Sequence, residues 1–241
     1  MSVLKVENIY KKYGKRYVVN GISLQLTKGE IVGFLGPNGA GKTTTFYIIA
    51  GVVDPDGGNV LFDDINITRW PIYKRANLGM GYLPQEHSIF RKLTVEQNVM
   101  AVLELKGFYG KELVRRMMDV LEYMGLMHVR KTVASALSGG EKRRLEVARM
   151  IALEPNFLLL DEPFTGIDPI AINDIQKIVK MLKEDKGIGV LITDHNVRET
   201  LKIVDRAYII HHGQILIEGD ANKLINDPKA REIYLGHDFE I

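Results

Sequence analysis

Residues Gly36-Pro37-Asn38-Gly39-Ala40-Gly41-Lys42-Thr43 set three glycines, a lysine and a hydroxyl at the spacing that grips a polyphosphate. The glycines let the backbone wrap closely, so that N–H groups from Asn38, Gly39 and Gly41 onward converge on phosphate oxygens. A helix opening at Lys42 adds the positive end of its dipole. Lys42 would bridge the β- and γ-phosphates, the Thr43 hydroxyl would ligate Mg²⁺, and Thr44 would reach the α-phosphate. A second set follows in "FLLLDEP", where an apolar strand delivers Asp161 and Glu162. Asp161 would hold Mg²⁺ through its water shell, and Glu162, facing away from its neighbour, would orient and deprotonate a water. An acidic pair alone reads as a solvated strand end. Joined to Lys42, it points to hydrolysis of a nucleoside triphosphate. A third segment, Leu137-Ser138-Gly139-Gly140-Glu141, is a Ser-Gly-Gly turn entering a helix, a second phosphate cradle followed by an acid that should repel phosphate.

Elements of the right kind surround these residues. "VLKVENI" and "GISLQL" alternate as strands, "EIVGFLG" is an apolar strand ending at the phosphate loop, "GKTTTFYIIAGVV" a helix, and "GNVLFDD" a strand. Residues 86 to about 154 carry helical spacing, with Met117, Met118, Met124 and Met127 as packing residues and "KELVRR" as a solvated face. Strand texture resumes at "NFLLLDEP" and "GVLIT", separated by the helix "IAINDIQKIVKMLKE". "RAYIIHHGQILIEGD" reads as a hairpin turning at His211-His212-Gly213, which makes that histidine pair a turn rather than a metal site. "NDPKAREIYLGHDFEI" reads as a short helix and tail. The alternation predicts an α/β fold with a mainly parallel sheet.

Composition narrows the class. The 241 residues suffice for one large domain or a core with an insert, and the formal net charge of +2 gives no reason to invoke nucleic acid. Cysteine is absent, which excludes disulfides and thiolate metal sites. The most apolar stretch, residues 31–53, contains Lys42 and a Gly/Pro-rich centre, so a soluble chain is expected whose membrane role, if any, runs through a partner.

Taken in order, these segments resemble the nucleotide-binding subunits of ABC transporters, along the whole chain. The phosphate loop, Gln85 in "YLPQE", the "LSGGE" of residues 137–141 beside the family's LSGGQ, the acidic pair, the loop "GIDP" at 166–169 and His195 in "LITDH" stand in the family's order. The resemblance implies a RecA-like P-loop NTPase core with an antiparallel β subdomain and an inserted α-helical subdomain. The single domain over 1–241 would divide into a 1–85 and 155–241 core and an 86–154 helical part. It implies ATP and Mg²⁺ as cofactors, adenine stacked on Tyr13 of "KKYGKR" or else on Tyr17, and Gln85 touching Mg²⁺ or the water. It further implies that His195 meets the γ-phosphate. A homodimer would sandwich two ATP molecules, with Ser138, Gly139 and Gly140 clamping the γ-phosphate held by Lys42 of a second copy. An isolated subunit would then be nearly inactive.

"LSGGEKRR", "TDHNVRETL" and the ending "YLGHDFEI" resemble the lipopolysaccharide-exporting group of the family, as does "GYLPQEHSIFRKLTVEQN". That likeness implies a peripheral protein on the cytoplasmic face of the inner membrane, with integral permease subunits docking near Phe90, Arg91 and Leu93. Lipopolysaccharide would be cargo, not a direct ligand. Branched-chain amino acid importer subunits are the second reading, although they carry Gln at the fifth signature position. A soluble non-transport ABC ATPase and a P-loop kinase are readings of other classes. Glu141 is expected to point along the helix surface away from phosphate, its charge offset by Lys142 and Arg143.

Overall fold

The computed structural model describes residues 2–86, 88–166, 169–236 and 239, with 169–171 by their backbone only. The chain opens with a long hairpin, β1 (Val3–Tyr13) and β2 (Arg16–Thr27), followed by β3 (Ile31–Leu35), α1 (Lys42–Ala50), β4 (Gly57–Phe62) and β5 (Ile65–Asn66). Next come α2 (Ile72–Leu78), β6 (Met80–Leu83), α3 (Val95–Leu105), α4 (Gly110–Tyr123), α5 (Gly139–Ile151) and β7 (Phe157–Asp161). The remainder is α6 (Pro169–Lys186), β8 (Gly189–Thr193), α7 (Val197–Leu201), β9 (Arg206–His211), β10 (Gln214–Gly219) and the short C-terminal α8 (Ala221–Asn226) and α9 (Pro228–Ala230).

Two sheets result, an antiparallel one ordered β2-β1-β4-β5 and a six-stranded one ordered β10-β9-β3-β8-β7-β6. In the larger sheet every pairing is parallel except β9 with β10. Every residue of β3, β7 and β8 is buried, as for parallel strands covered on both faces. The hairpin is longer than its alternation predicts. The ladder runs on through Tyr10↔Asn20 to Tyr13↔Arg16, so the basic and tyrosine-rich stretch forms the tip of a ribbon. From Lys12 to Tyr17 the residues are exposed, which removes the apolar signal there without removing the backbone pairing.

Residues of β7 and β8 alternate between two apolar layers. Leu158, Leu160, Val190 and Ile192 face a core shared with Val99, Leu103, Leu113, Met117, Leu121 and Leu145 of α3, α4 and α5. Phe157, Leu159 and Leu191 face the opposite layer, which holds α1 and the antiparallel sheet. The Phe62 and Phe157 rings meet edge-on at 5.2 Å and lock the two sheets together.

The rear of α1 is held by an unusual group. Arg75 of α2 is 1% exposed and, among the described residues, donates only to backbone carbonyls: Ile48 O at 2.7 Å, Ile49 O at 2.5 Å, Thr68 O at 2.9 Å and Trp70 O at 2.8 Å. Ile48 and Ile49 lie in the last turn of α1, where carbonyls run out of helical donors; Ile48 O also accepts from the capping Gly51 N at 3.2 Å. Burial draws the guanidinium down to about 10, still protonated at neutral pH. Arg75→Met should therefore lower unfolding free energy by about 3 kcal/mol, because it strands buried acceptors. Urea titration of the two proteins checks this, and an unchanged midpoint would show that water satisfies those carbonyls instead.

Candidate functional site

The phosphate loop joins β3 to α1 and is pressed into shape from behind. A Cβ on Gly36 would lie 2.3 Å from Ile210 O of β9, and one on Gly41 would lie 2.3 Å from Val18 O of β2. Gly41 also has φ +105°, so both approach and conformation demand glycine. Gly213, in the β9–β10 turn, donates to Ala40 O at 2.9 Å and accepts from Asn20 N at 2.8 Å, bracing the loop against β2. The histidine pair belongs to this brace, and among the described residues no three His, Cys, Asp or Glu side chains are grouped so as to hold a metal ion. Helix α1 starts with no side-chain cap and no acid in its first turn, which leaves its positive end unopposed. Asn38, Gly39 and Thr43 are exposed there and Thr44 is half-buried. Lys42 is buried, and its ammonium donates to Gly36 O at 2.6 Å and Pro37 O at 3.1 Å. Burial lowers its pKa, while Glu162, Asp161 and Asp194 act to raise it.

The acids sit where β7 ends. Asp161 is 4% exposed and accepts a hydrogen bond from Tyr82 Oη at 3.2 Å. Burial pushes its carboxyl above the ordinary range despite that bond. Glu162 then takes a left-handed conformation at φ +48°, rare for a side chain of this kind. Its N–H still bonds Thr193 O of β8 at 2.8 Å, so the backbone turns without leaving the sheet. That turn brings Glu162 Oε1 to 2.6 Å from His195 Nε2. The two predicted catalytic side chains, 33 positions apart by number, thus form one pair.

Asp194 holds that pair and was not singled out from the sequence. It is 1% exposed and accepts from Phe164 N at 2.7 Å and Asn196 N at 2.8 Å. Those bonds pin the segment after Glu162 to the segment carrying His195. An acid directly before a histidine at a strand end was the available signal.

The other predicted residues fall in three places. Gln85 is exposed just beyond β6, and the Leu83↔Leu160 register places it one strand over from Asp161 and Glu162. Tyr13 is 53% exposed at the hairpin tip and Tyr17 49%, so both can offer a ring face. Ser138, Gly139 and Gly140 open α5, and among the described residues no hydrogen bond or ion pair joins them to the phosphate loop. Of the loop at 166–169, Ile167 and Asp168 lie outside the described residues, as do His237, Asp238, Glu240 and Ile241 of the tail.

Glu141 differs from expectation. It does not lie along the helix but turns back in a capping box, accepting from Ser138 N at 2.9 Å and Ser138 Oγ at 2.7 Å. Its other oxygen lies 3.4 Å from His128 Nε2, and among the described residues no ion pair joins it to Lys142 or Arg143. The reason is local: a Ser at the cap with an acid three residues on satisfies two helix-end donors at once. Arg143 is instead buried on the inner face of α5, bonded to Glu146 at 2.9 Å and to Pro84 O at 3.4 Å. Glu146 accepts from Ser88 N at 2.9 Å, Arg149 donates to Ser88 O, and the Arg149 guanidinium lies 4.3 Å from the Phe90 ring. Helix α5 therefore grips the backbone on both sides of Gln85.

The donor set suits a hard divalent cation. Asp161, Thr43 and Gln85 would offer oxygen ligands only, and among the described residues no cationic side chain hydrogen-bonds the buried Asp161 carboxyl. A strand-to-helix phosphate loop, an acid ending another strand and a carboxylate–histidine pair define a P-loop nucleoside triphosphatase. A profile of the ABC transporter family matches residues 19–165. The chain is 48% identical to the lipopolysaccharide export system ATP-binding protein LptB of Escherichia coli K12, over 100% of both chains. It superimposes on MJ1267, an ATP-binding cassette of an ABC transporter in its ADP conformation, with TM-score 0.89 and 30% identity over 98% of this chain and 99% of that one. Against the dimeric structure of MJ0796, a bacterial ABC transporter cassette, the TM-score is 0.79 and identity 25%, over 90% and 98% of the two chains. The chain belongs to the ABC transporter family, as one of its ATP-hydrolysing cassettes.

Asp194→Ala should lower ATP turnover about 100-fold by freeing the Glu162 and His195 segments, with ATP affinity of the isolated subunit within about threefold of the parent. Phosphate release and equilibrium nucleotide binding measure the two halves. Parallel loss of both would mean that Asp194 holds up the fold rather than the pair.

Proposed function

We propose that this chain is the ATP-hydrolysing motor of a lipopolysaccharide export system, acting as a homodimer on the cytoplasmic face of the inner membrane. The likeness to LptB over the full length of both chains carries the reading. The exposed signature supports the dimer. Among the described residues no hydrogen bond or ion pair joins the start of α5 to its own phosphate loop, and in this reading a second copy's phosphate completes it.

In this reading the phosphate loop, from Asn38 through Thr44, holds the triphosphate, with Lys42 between the β- and γ-phosphates. Either Tyr13 or Tyr17 stacks on adenine, with Tyr13 the first choice. Thr43, Asp161 and Gln85 would hold Mg²⁺, which when bound would neutralise charge at the phosphates. Glu162 takes a proton from the attacking water, and His195, 2.6 Å from it, fixes where that carboxylate points. Gly139 and Gly140 present backbone N–H groups, and Ser138 a hydroxyl, to the γ-phosphate on the other copy. Residues 86–154 act as an arm on the 1–85 and 155–241 core. Their groove at Phe90, Arg91 and Leu93 receives the membrane partners, and Arg149 under Phe90 links that groove to α5. Among the described residues no helix is long and apolar enough to cross a membrane, so anchorage is assigned to those partners.

Glu162→Gln should cut phosphate release at least about 100-fold and trap an ATP-bound dimer, read by size-exclusion chromatography. Hydrolysis at the parental rate would remove Glu162 as the base. Phe90→Ala and Arg91→Ala should keep soluble ATPase activity and lose co-purification with integral proteins from native membranes. Capture of an importer permease pair in that experiment would overturn the cargo while leaving the ATPase in place.

A further inference from the structure

The signature serine has its hydrogen bonds already taken. Glu141 Oε2 accepts both of its donors, the Ser138 N–H at 2.9 Å and the Ser138 hydroxyl at 2.7 Å, and the same hydroxyl accepts from Glu141 N at 3.3 Å. The other carboxylate oxygen faces His128 Nε2 at 3.4 Å, which offers it a place to stay when Oε2 is released. The ground in front is open, because Ser138 and Gly139 are exposed and a Cβ on Gly139 would meet nothing within 4 Å.

We infer that Glu141 is a positioning residue that competes with a second copy's ATP for Ser138 and so sets how tightly the nucleotide-bound dimer closes. The inference rests on the sandwich reading above. To bond Ser138 Oγ, a γ-phosphate oxygen must displace Glu141 Oε2, which leaves two anions as neighbours in a closing interface where exclusion of water strengthens their repulsion. The serine's two bonds hold the Glu141 carboxyl below the ordinary range, so the competitor is ionised at neutral pH. Before closure it keeps the first turn of α5 ordered. At closure it opposes the phosphate. An amide at the same place would keep the cap and drop the charge, since Gln also serves at the third position of a capping box.

The test measures ATP-dependent dimer dissociation constants by sedimentation for Glu162→Gln alone, with Glu141→Gln added and with Glu141→Ala added, alongside each Tm. We expect both double variants to dimerise about tenfold more tightly than Glu162→Gln. Glu141→Ala alone should also lower the Tm, because only it loses the capping box. A purely structural Glu141 would change the Tm of the alanine variant and leave the dimer constant of the glutamine variant at or above the parental value, and that result would overturn the inference. If Glu162→Gln alone stays monomeric in ATP, the sandwich reading falls and takes the inference with it.

Discussion

The parallel ladder is the constraint on which the rest depends. Pairings such as Asp161↔Thr193 and Leu35↔Ile209 hold the carboxyl ends of neighbouring strands in register. Loops leaving those ends must then emerge side by side, as in open α/β sheets generally. The phosphate loop, the two acids, His195 and Gln85 all follow such ends, although they are scattered over more than half the chain. Chemistry needs them close together, and the sheet sets that proximity before side-chain contacts such as Glu162 with His195 complete it. Asp194 finishes the job by tying two adjacent loops to one buried carboxylate.

Much of this was legible because single residue types carried it. Glycine at 36 and 41 is required by backbone approach, and "GKT" follows a run that could only be a buried strand. The wholly buried strands read as apolar runs, and the helical packing of Met117 and Met124 read from spacing. What escaped was the geometry of polar groups. Arg75 looks like an ordinary helix residue, since nothing local says that four carbonyls will converge on it. Glu141 was misjudged because a helix surface and a capping box are both open to an acid at that position. Tertiary context does not choose between them; two nearby donors do.

Helix α5 shows how one element can serve several sites. Its first turn is the signature, its inner face holds Arg143, Glu146 and Arg149, and those side chains grip Pro84 and Ser88 on either side of Gln85. Burying three charges on one helix face is costly unless each is bonded, and here they bond to one another and to loop backbone. The arrangement makes the loop's position depend on the helix, whereas apolar packing would have let it slide.

Arg75 has a last consequence for the triphosphate. An α-helix ordinarily carries equal and opposite poles, each about half an elementary charge, so an anion at its front is partly repelled by its back. The guanidinium seated on Ile48 O and Ile49 O cancels the rear pole of α1. What remains at Lys42 is closer to a net positive pole than to a dipole, and its pull on a polyanion falls off more slowly with distance. A buried arginine on the far side of the helix thus extends the reach of the phosphate loop.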